Sequence, residues 1–287
     1  MNRLFKVSVI ITAVLCCGFF NIGVYAAEGA NEFGQLLDKI KTYDYGKSRA
    51  DLVKISDIIR EASGKGEMKE IEKQLDGFLK TEATYAAKDF VCRELSITGS
   101  EASVPALAPM LTDEKYSDMA RYALERIPGA AVDKALREAL PKATGNAKTG
   151  IINTIGVRGD KQAVGLLSGL ISDANQSVGV AAAAALGRID DPAATEAIAK
   201  AKDKATGALR AQLLDAYLRC ADRLAAKGEK GAALAIYKQL YDPNEPLMIR
   251  IAAVRGMIAT AGDKTSETVV EALKSNDKPI QTAAIET

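Results

Sequence analysis

The chain of 287 residues has no histidine and no tryptophan. Without histidine, the common general-base triads and every imidazole-ligated metal site are excluded. Neither sign of charge dominates: 38 Lys+Arg stand against 37 Asp+Glu, so the basic footprint of a nucleic-acid binder is missing. Aromatics supply only 5% of residues against a hydrophobic share of 48%. Small aliphatic side chains must therefore build the core, which suits closely packed helices better than a β-sandwich.

Cysteine is sparse as well, with four in all. Cys16 and Cys17 fall in an N-terminal segment that reads as a secretory signal. Arg3 and Lys6 form a positive start, Val7 to Phe20 is almost wholly apolar, and Val24-Tyr25-Ala26 places small residues before a cut at Ala27. An uncleaved anchor over Val7 to Tyr25 is the alternative, and it is the one membrane contact the sequence offers. Lipidation at Cys17 is disfavoured by its neighbours Cys16 and Gly18-Phe19-Phe20. Cleavage after Ala26 leaves 36 basic and 37 acidic residues, with Cys92 and Cys220 as the only thiols. Neither belongs to a Cys-x-x-Cys pair, so both read as small buried hydrophobes rather than zinc ligands or a disulfide framework.

A beat of about thirty residues organises the rest. Tyr122-Ala123-Leu124-Glu125-Arg126-Ile127 recurs as Asn153-Thr154-Ile155-Gly156-Val157-Arg158, then as Ala184-Ala185-Leu186-Gly187-Arg188-Ile189, then as Ala216-Tyr217-Leu218-Arg219. The anchors Leu124, Ile155, Leu186 and Leu218 are 31, 31 and 32 residues apart. Turns at Pro128-Gly129, Gly159-Asp160 and Asp190-Asp191-Pro192 each precede a second apolar helix. The expected fold is all-α, a right-handed α-solenoid of stacked antiparallel helix pairs.

The stretch from Leu170 through Asp173 and Val178 to Leu186-Gly187-Arg188-Ile189 resembles a HEAT repeat. Pro246 to Ala253 and Asp277 to Ala284 are similar, and the resemblance spans residues 88–287. Arg250 occupies the basic position that often follows the helix-opening residue of that family, whereas Gly179 and Gln281 depart from it. Residues 221–246 break the beat: Ala221, Leu224, Gly228, Ala233, Tyr237 and Leu240 match a tetratricopeptide-like pair, read as a longer helix pair within the stack. Residues 27–87 are helical but off-register and read as an N-terminal cap. The chain ends three residues after Ala284, inside an expected helix, so a longer protein truncated at the C-terminus is anticipated.

No chemistry-bearing motif emerges. Ser96 to Ser100 and Thr265-Ser266 suit helix capping, as do Asp113-Glu114 and Asp190-Asp191 at helix N-termini. No phosphate-binding glycine loop follows a strand, and no cofactor or metal is implied. In HEAT-like proteins the polar residues of the alanine-rich helices line a concave face, and the resemblance places Arg121, Arg126, Asn153, Arg158, Arg188, Gln212, Asp215, Arg219, Arg250 and Arg255 on or near it. A row made of Arg126, Arg158 and Arg188 would hold an acidic peptide or a sulfated glycan. Alternatively, these side chains only offset helix dipoles. The expected function is an exported, non-enzymatic scaffold with a protein or peptide partner and no nucleic acid. The competing readings are an accessory region of a larger exported enzyme and, because some HEAT-like proteins are chromophore lyases, a lyase.

Overall fold

The computed structural model describes residues 32–287. The signal segment expected at residues 1–26 and the cut expected after Ala26 lie outside the described residues. Among those described, all regular structure is helical, with sixteen α-helices and short 3-10 turns between them. No described helix is long and apolar enough to cross a membrane. The fold is an all-α solenoid of stacked helix pairs, and it divides into two compact units between Val132 and Asp133.

The first unit holds α1 (residues 32–40), α2 (Ala50–Lys65), α3 (Met68–Leu79), α4 (Tyr85–Thr98), the single turn α5 (Val104–Leu107) and α6 (Ser117–Arg126). Leu52, Ile55 and Ile59 recur at helical spacing on α2 and are buried. Gly66 ends that helix in the left-handed region at φ 74°, a conformation that favours glycine. A buried carboxylate ties α3 to the segment after α4. Glu72 accepts hydrogen bonds from the Ser100 N–H and from the Ser100 and Ser103 hydroxyls, both at 2.8 Å. Those donors offset the cost of burying its charge.

Asp76 lies one turn further along α3, with a buried Oδ1 that meets no partner among the described residues. Burial pushes its carboxyl above the ordinary value, and the neighbouring Glu72 charge adds to that, against Ser103 and Lys80. The folded chain therefore holds this proton over a pH range where the unfolded chain has lost it. Stability from this group falls as pH rises through that range. Asp76→Asn should raise the melting temperature at neutral pH, and the gain should shrink on acidification. A variant less stable than wild type at neutral pH would contradict this account.

The second unit begins within α7 (Ala130–Ala139) and continues through α8 (Gly145–Arg158), α9 (Val164–Leu170), α10 (Gln176–Arg188) and α11 (Pro192–Lys202). Beyond these lie α12 (Gly207–Ala226), α13 (Lys230–Leu240), α14 (Leu247–Thr260), α15 (Thr265–Leu273) and α16 (Lys278–Glu286). The helices α8, α10 and α12 pack in series. Their close approach needs glycine. A Cβ on Gly156 would lie 2.7 Å from Ala185 Cα, and one on Gly187 would lie 2.9 Å from Ala216 Cα.

These contacts correct the expected anchors. Ile155 and Leu186 are fully buried, but Leu218 is only half-buried, and Tyr217 takes the core position. The step from Leu186 to Tyr217 is 31 residues, as is that from Ala185 to Ala216, so the beat continues unchanged into α12. The region expected to resemble a tetratricopeptide pair is the end of the 20-residue α12 followed by α13. Its aromatic, Tyr237, donates to Asp222 at 2.7 Å and packs where a Cβ on Gly256 would sit.

Ion pairs link successive repeats. Lys148 near the start of α8 meets Asp173 before α10 at 2.9 Å, Arg210 on α12 meets Glu245 before α14 at 2.9 Å, and Arg250 on α14 meets Asp277 before α16 at 2.6 Å. The series is interrupted at Gly179, where a Cβ would meet the Ile171 carbonyl oxygen at 2.7 Å. There Asp203 pairs with the adjacent Lys202 instead. Gln281, the other departure from the basic pattern, donates to the carbonyls of Leu273 and Ser275.

Candidate functional site

The aromatic residues are unevenly placed. Eight of the eleven in the described region, Phe33 to Tyr122, precede Asp133. Several surround a hollow of about 440 Å³ in the first unit, walled by Tyr43, Tyr45, Leu52, Ala86 and Phe90, with Arg49, Asp89 and Arg93 as its polar lining. Tyr43 and Tyr45 lie on the loop between α1 and α2, and Phe90 and Arg93 on α4. The loop is fastened to α4 by Thr84, whose hydroxyl donates to the Tyr43 carbonyl and also accepts from the Ala87 N–H as the helix cap.

Asp89 organises the polar side. Its Oδ2 accepts from the Tyr45 hydroxyl at 3.0 Å and from Arg93 Nε at 2.9 Å. Partial desolvation and the Asp89 hydrogen bond push the Tyr45 phenol up to about 12, so it remains a donor at neutral pH. Arg93 and Arg126 both lie over the Tyr122 ring, at 5.2 and 4.0 Å from its centroid, and Arg126 also donates to the Tyr122 carbonyl at 3.0 Å. Helical spacing of four residues produces this arrangement twice, for Asp89 with Arg93 and for Tyr122 with Arg126. One helical turn beyond Arg93, Ile97 stands out from the end of α4 at 82% exposure. A tyrosine-and-arginine surface with an exposed aliphatic neighbour has the composition enriched at protein-binding hot spots.

Arg126 is the one residue of the expected binding set that belongs to this patch. Arg121, also on α6, is largely buried and pairs with Asp118. In the second unit, Arg158 and Arg250 do not present their charge to a partner. Arg158 is largely covered and pairs with Asp133, while Arg250 is bound into the repeat linkage through Asp277. Arg158 sits one position later in its repeat than Arg188 does, and this turns it onto α7 rather than outward. Gln212, Asp215 and Arg219 bond among themselves on α12, and Arg255 pairs with Glu286. Asn153 and Arg188 remain exposed.

Sequence reasoning passed over Tyr43, Tyr45, Arg49, Asp89, Arg93 and Tyr122. The available signal was the crowding of scarce aromatics before residue 123, at four-residue helical spacing from Arg126 in the case of Tyr122. The other polar groups have structural partners. Asp191 caps α11 through the Ala193 N–H at 2.8 Å, and Asp190 pairs with Arg223 and Lys227. Cys92 and Cys220, the two cysteines among the described residues, are buried and free. Burial pushes the Cys92 thiol up to about 12 and the Cys220 thiol in the same direction, so neither supplies a thiolate nucleophile at neutral pH.

Residues 133–217 match the family of HEAT repeats, in the part of the chain where the 31-residue step is most regular. The described chain is thus all-helical, with HEAT repeats matched over residues 133–217. No curated protein matches the chain. Among solved structures, human deoxyhypusine hydroxylase, determined in complex with glycerol, resembles it over 92% of this chain and 96% of its own. The identity there is 12% and the TM-score 0.36. An engineered protein resembles it over 89% of this chain and 72% of its own, at 15% identity and a TM-score of 0.40. Neither likeness is close enough to bear on activity.

Proposed function

We propose that the protein is an exported, non-enzymatic scaffold that holds a protein partner on the exposed face of α4 and α6. The observation that carries this reading is the patch formed by Tyr45, Arg93, Ile97, Tyr122 and Arg126, which combines exposed apolar area with preordered guanidinium groups. Stacked helix repeats present extended surfaces of this kind rather than enclosed catalytic clefts. The protonated, buried cysteines and the structural use of Asp190 and Asp191 agree with a binding role. Export rests on the charged start, apolar run and Val24-Tyr25-Ala26 site.

A photo-crosslinking amino acid at Ile97, compared with one at Leu166 on α9, tests the proposal in the source cell. Irradiation at Ile97 should yield one discrete protein adduct, and the adducted chain should begin at Ala27. Equal labelling from both positions, or none from Ile97, would refute the assigned face.

A further inference from the structure

We infer that the hollow beside α4 binds an extended peptide segment carrying a bulky apolar side chain next to a carboxylate, which rests on the scaffold reading above. The hollow has the volume of a small ligand pocket, and Tyr43, Leu52 and Phe90 give it apolar walls. It is large enough to receive one aromatic or branched aliphatic side chain.

Its rim is cationic. Arg49 lines the hollow, is exposed and forms no ion pair among the described residues. Arg126 lies outside the lining, next to Arg93 over the shared Tyr122 ring, and forms no ion pair among the described residues either. Arg93 engages Asp89 through Nε, and its side chain remains 58% exposed. The nearby carboxylates are already engaged. Asp89 accepts from Tyr45 and Arg93, and Asp44 accepts from the Tyr45 N–H at 2.8 Å. A ligand carboxylate can therefore meet a guanidinium without breaking an internal pair. Contact with the Tyr122 ring also restrains Arg93 and Arg126 beforehand, which lowers the side-chain entropy lost when a partner binds.

These two halves select one class of partner. A sulfated glycan would satisfy the arginines and leave the apolar hollow unfilled. A wholly apolar segment would fill the hollow and leave the guanidinium groups without an anion. A peptide with both groups side by side satisfies each.

The test is fluorescence anisotropy on the whole chain with fluorescein-labelled Gly-Ser nonapeptides whose centre is Phe-Glu, Glu-Phe or Leu-Glu. The comparison probes carry Ala-Glu or Phe-Gln, and a heparin oligosaccharide serves as the glycan arm. At least one mixed peptide should bind with a Kd on the order of 10–100 μM. Removing either its apolar or its acidic side chain should weaken binding about tenfold. Arg126→Gln alone, and Arg93→Gln with Arg126→Gln, should each weaken it, the double variant by about tenfold or more. Arg60→Gln on α2 should leave it unchanged. Thermal melts matching wild type establish that the variants are folded.

Absence of binding by every mixed peptide at about 1 mM would overturn the inference, as would binding that survives the double substitution. Heparin binding without peptide binding would overturn it too. If peptides fail while the probe at Ile97 still traps a protein, the scaffold reading stands and the peptide class is wrong. If both fail, both fall.

Discussion

Gly187→Val should destabilise the protein by about 3 kcal/mol or more, lowering the melting temperature by about 10 °C at this chain size. The reason is geometric. The first carbon added at Gly187 would lie 2.7 Å from Ala216 Cβ and 2.9 Å from Ala216 Cα, and the corresponding carbon at Gly156 would lie 2.8 and 2.7 Å from the same atoms of Ala185. Backbone cannot rotate aside as a side chain can, so α10 would have to separate from α12 along its length. A close-packed interior resists that movement. Gly156→Val should behave alike. Gly165 on α9 provides the contrast, because nothing lies within 4 Å of the carbon that alanine would add there. Gly165→Ala should stabilise by about 0.5–1 kcal/mol through helix propensity. Circular-dichroism melts of the three variants decide the matter; equal effects at Gly187 and Gly165 would show that helix spacing is not the constraint.

Asp160→Ala should cost about 3–4 kcal/mol, of which the larger part is the loss of a mostly buried ion pair and the smaller part the loss of a cap. The Asp160 side chain is 6% exposed and pairs with Arg137 on α7, while its Oδ1 accepts from the Gln162 N–H at 3.0 Å. Removing it leaves a partly buried guanidinium without its anion. A second pair runs the opposite way, from Arg158 on α8 to Asp133 on α7. Arg158→Gln should consequently lower stability while leaving peptide binding unchanged. Calorimetry of both variants, with the anisotropy titration repeated on Arg158→Gln, separates the two roles. Loss of binding in a variant that melts like wild type would return Arg158 to the interaction surface.

Helix existence and the repeat step were legible because burial has a helical period and a repeat period at once. Leu124, Ile155 and Leu186 mark both, and all three are fully covered. The fourth anchor was misread by one residue because Leu is the more familiar core side chain, whereas the close Gly187–Ala216 contact places Tyr217 inside. The expected basic linkage looked broken at Gly179 and Gln281. It persists elsewhere because Lys148 and Arg210 supply the charge from positions that a fixed-residue pattern overlooks.

The binding face was less legible for a different reason. An arginine in sequence gives no sign of which carboxylate it will meet. Arg126 and Arg188 hold equivalent places in the repeat pattern and Arg158 lies one position later, and nothing in that pattern shows that Arg158 finds Asp133, 25 residues away. Similarly, the hollow joins the loop holding Tyr43 and Tyr45 to a face of α4, across 44 residues between Tyr45 and Asp89. Such meetings depend on how helices dock, which local periodicity does not encode.

The reach of the inter-repeat ion pairs also bears on the order in which structure can form. In the second unit, Lys148–Asp173, Arg250–Asp277 and Arg210–Glu245 span 25, 27 and 35 residues, each about one repeat. No linkage of this series waits for the far end of the unit, so closing each costs little loop entropy. Folding can then start at any adjacent pair of repeats and advance in either direction. At Gly179, where the series lapses, α10 and α12 are tied at their other ends instead, where Arg223 donates to the carbonyls of Gly187 and Arg188 at 3.1 and 3.0 Å and pairs with Asp190. That junction therefore keeps a polar link of one-repeat reach, made by the end of α12 rather than its start.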